Sequence, residues 1–308
     1  MIYDLHCDLL GSVADKPDTL TLHSPETRCS VPQLRAGGVA LQTFAVATIG
    51  GPNSSKQAEK QIALYQKLQQ ELAPIRGLIA IENASGLADE GEPLESAFHR
   101  LDTFSQVEQI LYISLTWNGE NRFGGGNKTD VGLKPDGKAL LAYISGKGIA
   151  IDLSHTSDPL AYDILNTLDR ENLHIPVIAS HSNYRAIEDH PRNLPDELAL
   201  EVIRRKGVIG LNLVRRFLGK QKGAIITHVE HALKLGGENT IALGADYYGG
   251  FDMPPELVKE LWTPTFSPGL DNSSCYPALF ALLRDHFTEA QLERLAYQNV
   301  EGFLEGVR

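Results

Sequence analysis

Eight short apolar runs, spread along the whole chain and bounded by turn residues, constrain this sequence more than any other feature. In order they are "MIYDLH", "GVALQTFAVA", "GLIAIEN", "QILYISLT", "GIAIDLSH", "IPVIASH", "GVIGLNLV" and "TIALGAD". Most are near-continuous in Val, Ile, Leu and Ala, the pattern of parallel strands buried on both faces. Between them lie stretches with helical spacing, among them "SSKQAEKQIALYQKLQQEL", "PDGKALLAYISGKG", "LAYDILNTLDR", "PDELALEVIRRKG" and "HVEHALKLGG". Several end in Gly, the usual residue after a helix C-terminus. Eight β–α units in 308 residues predict an α/β fold, a TIM-like (β/α)8 barrel. A doubly wound sheet is the rival, but no G-x-G-x-x-G follows the first run, so its dinucleotide-binding form lacks a signature. The tail "YPALFALLRDHFTEAQLERLAYQNVEGFLEGV" reads as two more helices, over about 276–308, packed outside the barrel. The expectation is one domain over 1–308.

Composition removes several function classes. No stretch approaches the roughly 18 to 20 uninterrupted apolar residues of a membrane helix, and the start is acidic with no apolar signal region, so cytoplasmic residence and no membrane partner are expected. A net charge of −11 argues against a nucleic-acid or anionic-membrane surface. Cys7, Cys29 and Cys275 are too few and too scattered for a disulfide framework or a cysteine zinc site.

Barrel enzymes build their sites at the C-terminal ends of the strands. His6 and Asp8 end the first run, Glu82 the third, His155 the fifth, His181 the sixth and Asp246 the eighth. Singly, each has a dull explanation as a core hydrogen-bonding residue or a helix cap. Together they place imidazoles and carboxylates, the donors zinc prefers, at one end of one barrel. Five ligands (His6, Asp8, Glu82, His155 and His181) exceed what one tetrahedral ion with an open position needs. They fit two ions if one carboxylate serves both, and Glu82, between the two groups in chain order, is the natural bridge. Two ions about 3.5–4 Å apart can share a water, acidify it and polarise a carbonyl. Asp246 is then left to shuttle a proton.

These motifs resemble the membrane dipeptidase (renal dipeptidase) family, zinc hydrolases of the amidohydrolase type. "DLHCD" is similar to the family's H-x-D segment, "IENASGL" to the strand carrying its bridging Glu, and "IDLSHTS" to its D-L-S-H stretch. "ASHSNYRAIEDHPRNLPDE" resembles its S-H-S…R-N-x-P-D stretch, and "EHALKLGGENTIALGADYYGG" the segment ending in its catalytic Asp. The resemblance runs from residue 4 to the final helices. It implies a dinuclear zinc dipeptidase, with His6, Asp8 and Glu82 on one Zn2+ and Glu82, His155 and His181 on the other. It further implies that Asp246 protonates the leaving amine and that Arg192 holds the substrate's terminal carboxylate, a task suited to a planar fork. Without the resemblance, Arg192 would read as a surface salt-bridge residue.

Two positions depart from the family pattern. "LTWNGEN" places Trp117 where members often carry a His that binds the scissile carbonyl, a change a bacterial branch could carry. Phe217 in "LNLVRRFL" stands where the family has a Tyr near the substrate carboxylate, with Arg215 and Arg216 beside it as alternative anion binders. These changes leave the metal chemistry alone and bear on the substrate. The readings are therefore a dipeptidase, another amide or ester hydrolase acting on a small carboxylate-bearing substrate, or a metal-binding barrel that has lost peptidase activity. The Gly-rich "NRFGGGNKTDVG" lacks the G-K-[ST] ending of a phosphate loop and reads as a mobile loop rimming the site. "GGFDMPPELVKELWTPTFSPGLDNSS" is expected to overhang the site and offer a ligand contact or a homodimer surface.

Overall fold

The computed structural model describes residues 1–221, 223–249 and 264–307. Eight parallel strands form one sheet in the order β6-β5-β4-β3-β2-β1-β8-β7. They are β1 Ile2–Cys7, β2 Val39–Ala47, β3 Arg76–Glu82, β4 Ile110–Ser114, β5 Ala150–Asp152, β6 Val177–Ile178, β7 Ile209–Leu211 and β8 Ile241–Leu243. A parallel bridge between Ala179 and Ile209 joins β6 to β7 and closes the ring. The fold is the expected (β/α)8 barrel. The later strands are shorter than their apolar runs. Of the stretch 249–274 expected to overhang the site, residues 250–263 lie outside the described residues.

Side chains alternate across each strand, and that alternation puts function on the inner face. Leu78 and Ala80 belong to the inner apolar cluster and Glu82 continues the same face; Ala150 precedes Asp152 and Ala242 precedes Asp246 in the same rhythm. Close approach at the mouth requires glycine: a Cβ on Gly210 or Gly244 would lie 1.9 Å from the Ser180 carbonyl. β7 and β8 therefore press against the segment that carries His181.

The helix Ser54–Leu72 has the bounds its spacing predicts, and packs Ala58, Ile62, Tyr65 and Leu68 inward. The tail differs from the expectation. After the helix Tyr276–Leu283 the chain forms one helical run, Glu289–Glu293, a π turn Arg294–Gln298, and Asn299–Val307. Instead of lying outside the barrel, this run closes its N-terminal mouth: Val300, Phe303 and Leu304 join the inner cluster with Leu78 and Val208. Asn299 Nδ2 donates to the Ile241 carbonyl at 2.7 Å, pinning the helix beneath β8. An amphipathic helix over the floor carries the same sequence pattern as one on the flank, so spacing alone does not separate them. Phe303→Ala should cost about 3–5 kcal/mol by opening a cavity under the barrel, measured as a drop in urea midpoint at unchanged m-value. Among the described residues no helix is long and apolar enough to cross a membrane.

Candidate active site

The C-terminal mouth of the barrel gathers the strand-end residues. His6 and Asp8 come from β1, Glu82 from β3, His155 and His181 from just beyond β5 and β6, and Asp246 from beyond β8. His155 and Asp246 have left-handed backbone, with φ of 67° and 61°. Such conformations are uncommon outside Gly and concentrate where a site demands them. Here they swing each side chain off its strand into the mouth.

Among the described residues, three sets of ligand atoms lie within 4.8 Å of one another: His6, Asp8 and Glu82; Glu82, His155 and His181; and His6, His181 and Asp246. Glu82 faces both ways. Its Oε2 lies 3.6 Å from His6 Nε2, and its Oε1 lies 2.8 Å from His155 Nε2 and 3.6 Å from His181 Nε2. The rings of His6 and His181 stack with centroids 3.7 Å apart.

Hydrogen bonds behind the imidazoles decide which nitrogen faces the centre. The Tyr112 hydroxyl donates to the Leu5 carbonyl at 3.1 Å, so it accepts from His6 Nδ1–H at 2.7 Å. The Ser180 hydroxyl donates to Asp152 at 2.7 Å and accepts from His181 Nδ1–H at 2.6 Å. His155 Nδ1–H donates to Asn118 Oδ1 at 2.9 Å. All three rings therefore turn Nε2 inward, the nitrogen each offers a metal ion when the ring is neutral. His155 Nε2 and His181 Nε2 come within 3.0 Å of each other, with Glu82 Oε1 beside them. Three acceptors converge there with no donor among them. His6 Nε2 and Asp8 Oδ1 are buried with no hydrogen-bond partner among the described residues. This donor set fits divalent cations.

The electrostatics agree. Burial and then the Glu82 carboxylate push Asp8 above the usual carboxylate range, burial raises Glu82 against the opposing pull of His6 and Arg192, and burial carries Asp246 up to about 7. Burial alone would lower His6, but the carboxylates of Glu82, Asp8 and Asp246 outweigh it and raise the ring to about 10. Burial, aided by the positive charges of Arg192 and His6, drives His155 and His181 well below the ordinary imidazole value. Three buried carboxylates need positive charge among them, and a divalent cation would supply it while leaving the imidazoles neutral.

Several contributors were not singled out in the sequence. Asp152 accepts from the Ser114 and Ser180 hydroxyls and from the Ser154 and Ser180 amides, at 2.7–3.0 Å, and so holds the His181 strand end. Asp4 accepts from the amides of His6 and Ala245 and bonds the Tyr276 hydroxyl, joining the two edges that carry His6 and Asp246. Asn212 Nδ2 donates to Asp246 Oδ2 at 2.8 Å. Polar residues inside otherwise apolar runs were the only signal, and they do not reveal their partners.

The mouth opens into a cavity of about 450 Å3 that includes Trp117, Arg192, Arg216 and Phe217 in its lining. Arg192 is buried; its Nη2 donates to the His181 carbonyl at 3.2 Å and its guanidinium lies over the Phe217 ring at 5.4 Å. Phe217 thus supports the arginine through its face, as cation–π packing does. Arg215 does not line the cavity and donates to the Pro264 carbonyl at 3.1 Å. Trp117 stands 6.0 Å from the His155 ring. The Gly-rich loop, expected to be mobile, is tied down: Gly126 N donates to the Gly119 carbonyl, Lys128 N to that of Asn118 and Asn127 N to that of His155, at 2.8–3.0 Å. A Cβ on Gly126 would come 2.0 Å from the Trp117 carbonyl, so glycine is what allows the loop to lie on that strand end.

Comparison with known proteins places these residues in a family. An uncharacterised dipeptidase of Schizosaccharomyces pombe is 30% identical over 202 residues, 62% of this chain and 45% of that protein. An uncharacterised protein from the pqqA 5′ region of Klebsiella pneumoniae is 30% identical over 193 residues, 58% of this chain and 66% of that protein. The chain thus spans about half to two thirds of the length of these curated relatives. Among solved structures, a metallopeptidase from Rhodobacter sphaeroides, liganded with a phosphinate mimic of the dipeptide L-Ala-D-Ala, superposes with a TM-score of 0.80. It is 20% identical, with 100% of this chain and 99% of that one covered, and so is alike in fold. The family model for membrane dipeptidases matches residues 1–305, and the chain belongs to that family, peptidase family M19.

Proposed function

We propose that this protein is a zinc-dependent dipeptidase that hydrolyses the peptide bond of dipeptides bearing a free C-terminal carboxylate. The observation that carries the reading is the convergence of three inward-facing imidazole nitrogens and the Glu82 carboxylate at one mouth, beside a buried arginine. In this reading His6, Asp8 and Glu82 hold one ion, and Glu82, His155 and His181 hold the second. When bound, two divalent ions would supply an acidified water and a polarised carbonyl. The remaining work falls to the chain. Arg192, braced on Phe217, binds the substrate carboxylate with its fork. Asn212 fixes Oδ2 of Asp246, leaving Oδ1 to take a proton from the attacking water and return it to the leaving amine. Trp117 walls the side of the cavity beyond β4, and Arg216 adds positive charge to its lining. Membership of the dipeptidase family and the phosphinate-bound structural neighbour support the same substrate class.

The test is a panel of dipeptides with free or amidated C-termini, run beside elemental analysis of the purified protein. Two equivalents of zinc and cleavage of free dipeptides, with amidation costing at least about tenfold as expected for a lost charge-assisted contact, support the reading. Metal with cleavage of other carboxylate-bearing amides or esters, and of no dipeptide, would move the substrate elsewhere. Neither metal nor hydrolysis would sink it.

A further inference from the structure

A second cavity, of about 440 Å3, lies beside the reaction cavity, and Trp117 and Ile49 line both. Three successive strand ends cross from one to the other. Thr48 lines the inner cavity and Gly50 the outer; Glu82 the inner and Asn83 the outer; Asn118 the inner and Gly119 the outer. The outer cavity is therefore built over β2, β3 and β4. In the closed ring these strands lie across the barrel from β6 and β7, whose following segments carry Arg192 and Phe217.

We propose that Trp117, with Ile49, sets the length of the peptide this protein accepts, by walling off an outer subsite shaped for the N-terminal residue of a tripeptide. This rests on the dipeptidase reading above. A substrate anchored by its carboxylate at Arg192 runs across the mouth, so its amino end points towards β2–β4. A further residue would extend it by roughly 3.3–3.6 Å, and in that direction it meets the Trp117 indole. The backbone that carries the indole is held in place. The Gly-rich loop is hydrogen-bonded along residues 118–119 and to the His155 carbonyl, and Gly126 sits against the Trp117 carbonyl. Ile49 completes the wall from the rim, where 62% of its surface is exposed.

Beyond the wall the chemistry suits an ammonium group. Glu90 and Glu120 face the outer cavity against one cation, Lys134, which pairs with Glu120 at 2.7 Å. Glu90 Oε1 accepts the Arg122 amide at 2.8 Å, which holds that carboxylate at the rim. The reaction is unchanged in kind: the peptide C–N bond before the C-terminal residue breaks, and water supplies hydroxyl to the acyl group and a proton to the amine. What changes is the product, a dipeptide in place of a free amino acid.

The experiment compares a dipeptide with the tripeptide made by adding one N-terminal residue, each with a free or acetylated amine, on wild type, Trp117→Phe and Trp117→Ala. Melting temperatures confirm folded variants. Calorimetry with unreactive phosphinate analogues of both lengths gives the same comparison without turnover. Wild type and Trp117→Phe should strongly prefer the shorter ligand. Trp117→Ala should raise the tripeptide-to-dipeptide ratio of kcat/KM at least about tenfold, as removing a steric block in a pocket does. Adding Glu90→Gln and Glu120→Gln to Trp117→Ala should remove that gain for the free amine and spare it for the acetylated peptide. An unchanged ratio in Trp117→Ala by both kinetics and calorimetry overturns the proposal, as does equal use of both lengths by wild type. If wild type cleaves neither peptide, the dipeptidase reading fails, and the phosphinate titrations still decide whether Trp117 is a length-setting wall.

Discussion

Asp246→Asn should keep two equivalents of metal and lose about 10²–10⁴-fold in kcat, the usual worth of a positioned general acid–base. The substitution is nearly isosteric, and the contacts that orient the side chain survive it. The Asp246 amide still donates to the His6 carbonyl at 3.2 Å, and the Asn212 side chain, which donates to Oδ2 at 2.8 Å, can still reach the amide oxygen. What is lost is a group that binds and releases a proton. Burial already carries the Asp246 carboxyl up to about 7, where a shuttle at neutral pH has to titrate. The measurement also separates two roles. Asp246 Oδ1 lies 3.7 Å from His6 Nε2 and belongs to one of the three candidate ligand sets. Loss of metal together with activity would make Asp246 a ligand; retained metal with near-normal turnover would remove it from the chemistry.

His181→Ala should reduce the metal content from two equivalents to one and lower kcat/KM by at least about 10²-fold, because in the proposed two-ion site one ion loses its ligand. His181 belongs to two of the three candidate ligand sets, and its ring bridges the two halves of the site. The barrel should remain folded, since His181 stands at the mouth beyond β6 and not in the apolar layers beneath. Elemental analysis with circular dichroism and a melting curve tests both statements. Two equivalents retained at native stoichiometry would contradict the ligand assignment. A Ser180→Ala variant, which deletes the acceptor for His181 Nδ1–H, should weaken metal affinity by about 10–100-fold without removing a ligand.

Much of this protein was legible along the chain, and the reason is local. A parallel strand covered on both faces must be apolar almost throughout, so β2, β3 and β4 announce themselves as "VALQTFAVA", "GLIAIE" and "ILYIS". A polar residue that ends such a run has left the apolar layers at the barrel's C-terminal mouth, and that determined where His6, Glu82, His155, His181 and Asp246 would gather. The helix Ser54–Leu72 was equally plain, because nineteen residues of helical spacing leave little room for another structure.

Tertiary structure decided the rest, and in each case the cause is a contact between residues far apart in sequence. Which nitrogen each histidine offers depends on Tyr112 behind His6, 106 residues away, and on Asn118 behind His155, 37 away. The spacing of the final helix is the same whether it lies on the flank or under the barrel; only the ring of Leu78, Val208 and their neighbours, open at the bottom, settles that it is a floor. Adjacent arginines look alike in "VRRFL", yet Arg216 faces the cavity while Arg215 turns to the Pro264 carbonyl, a choice made by the packing of a segment about fifty residues on. Sequence alone determined the strands and the chemical character of their ends, because burial writes itself into every residue of a run. The shape of the space those ends enclose, including the wall at Trp117, came only from closing eight strands into a ring.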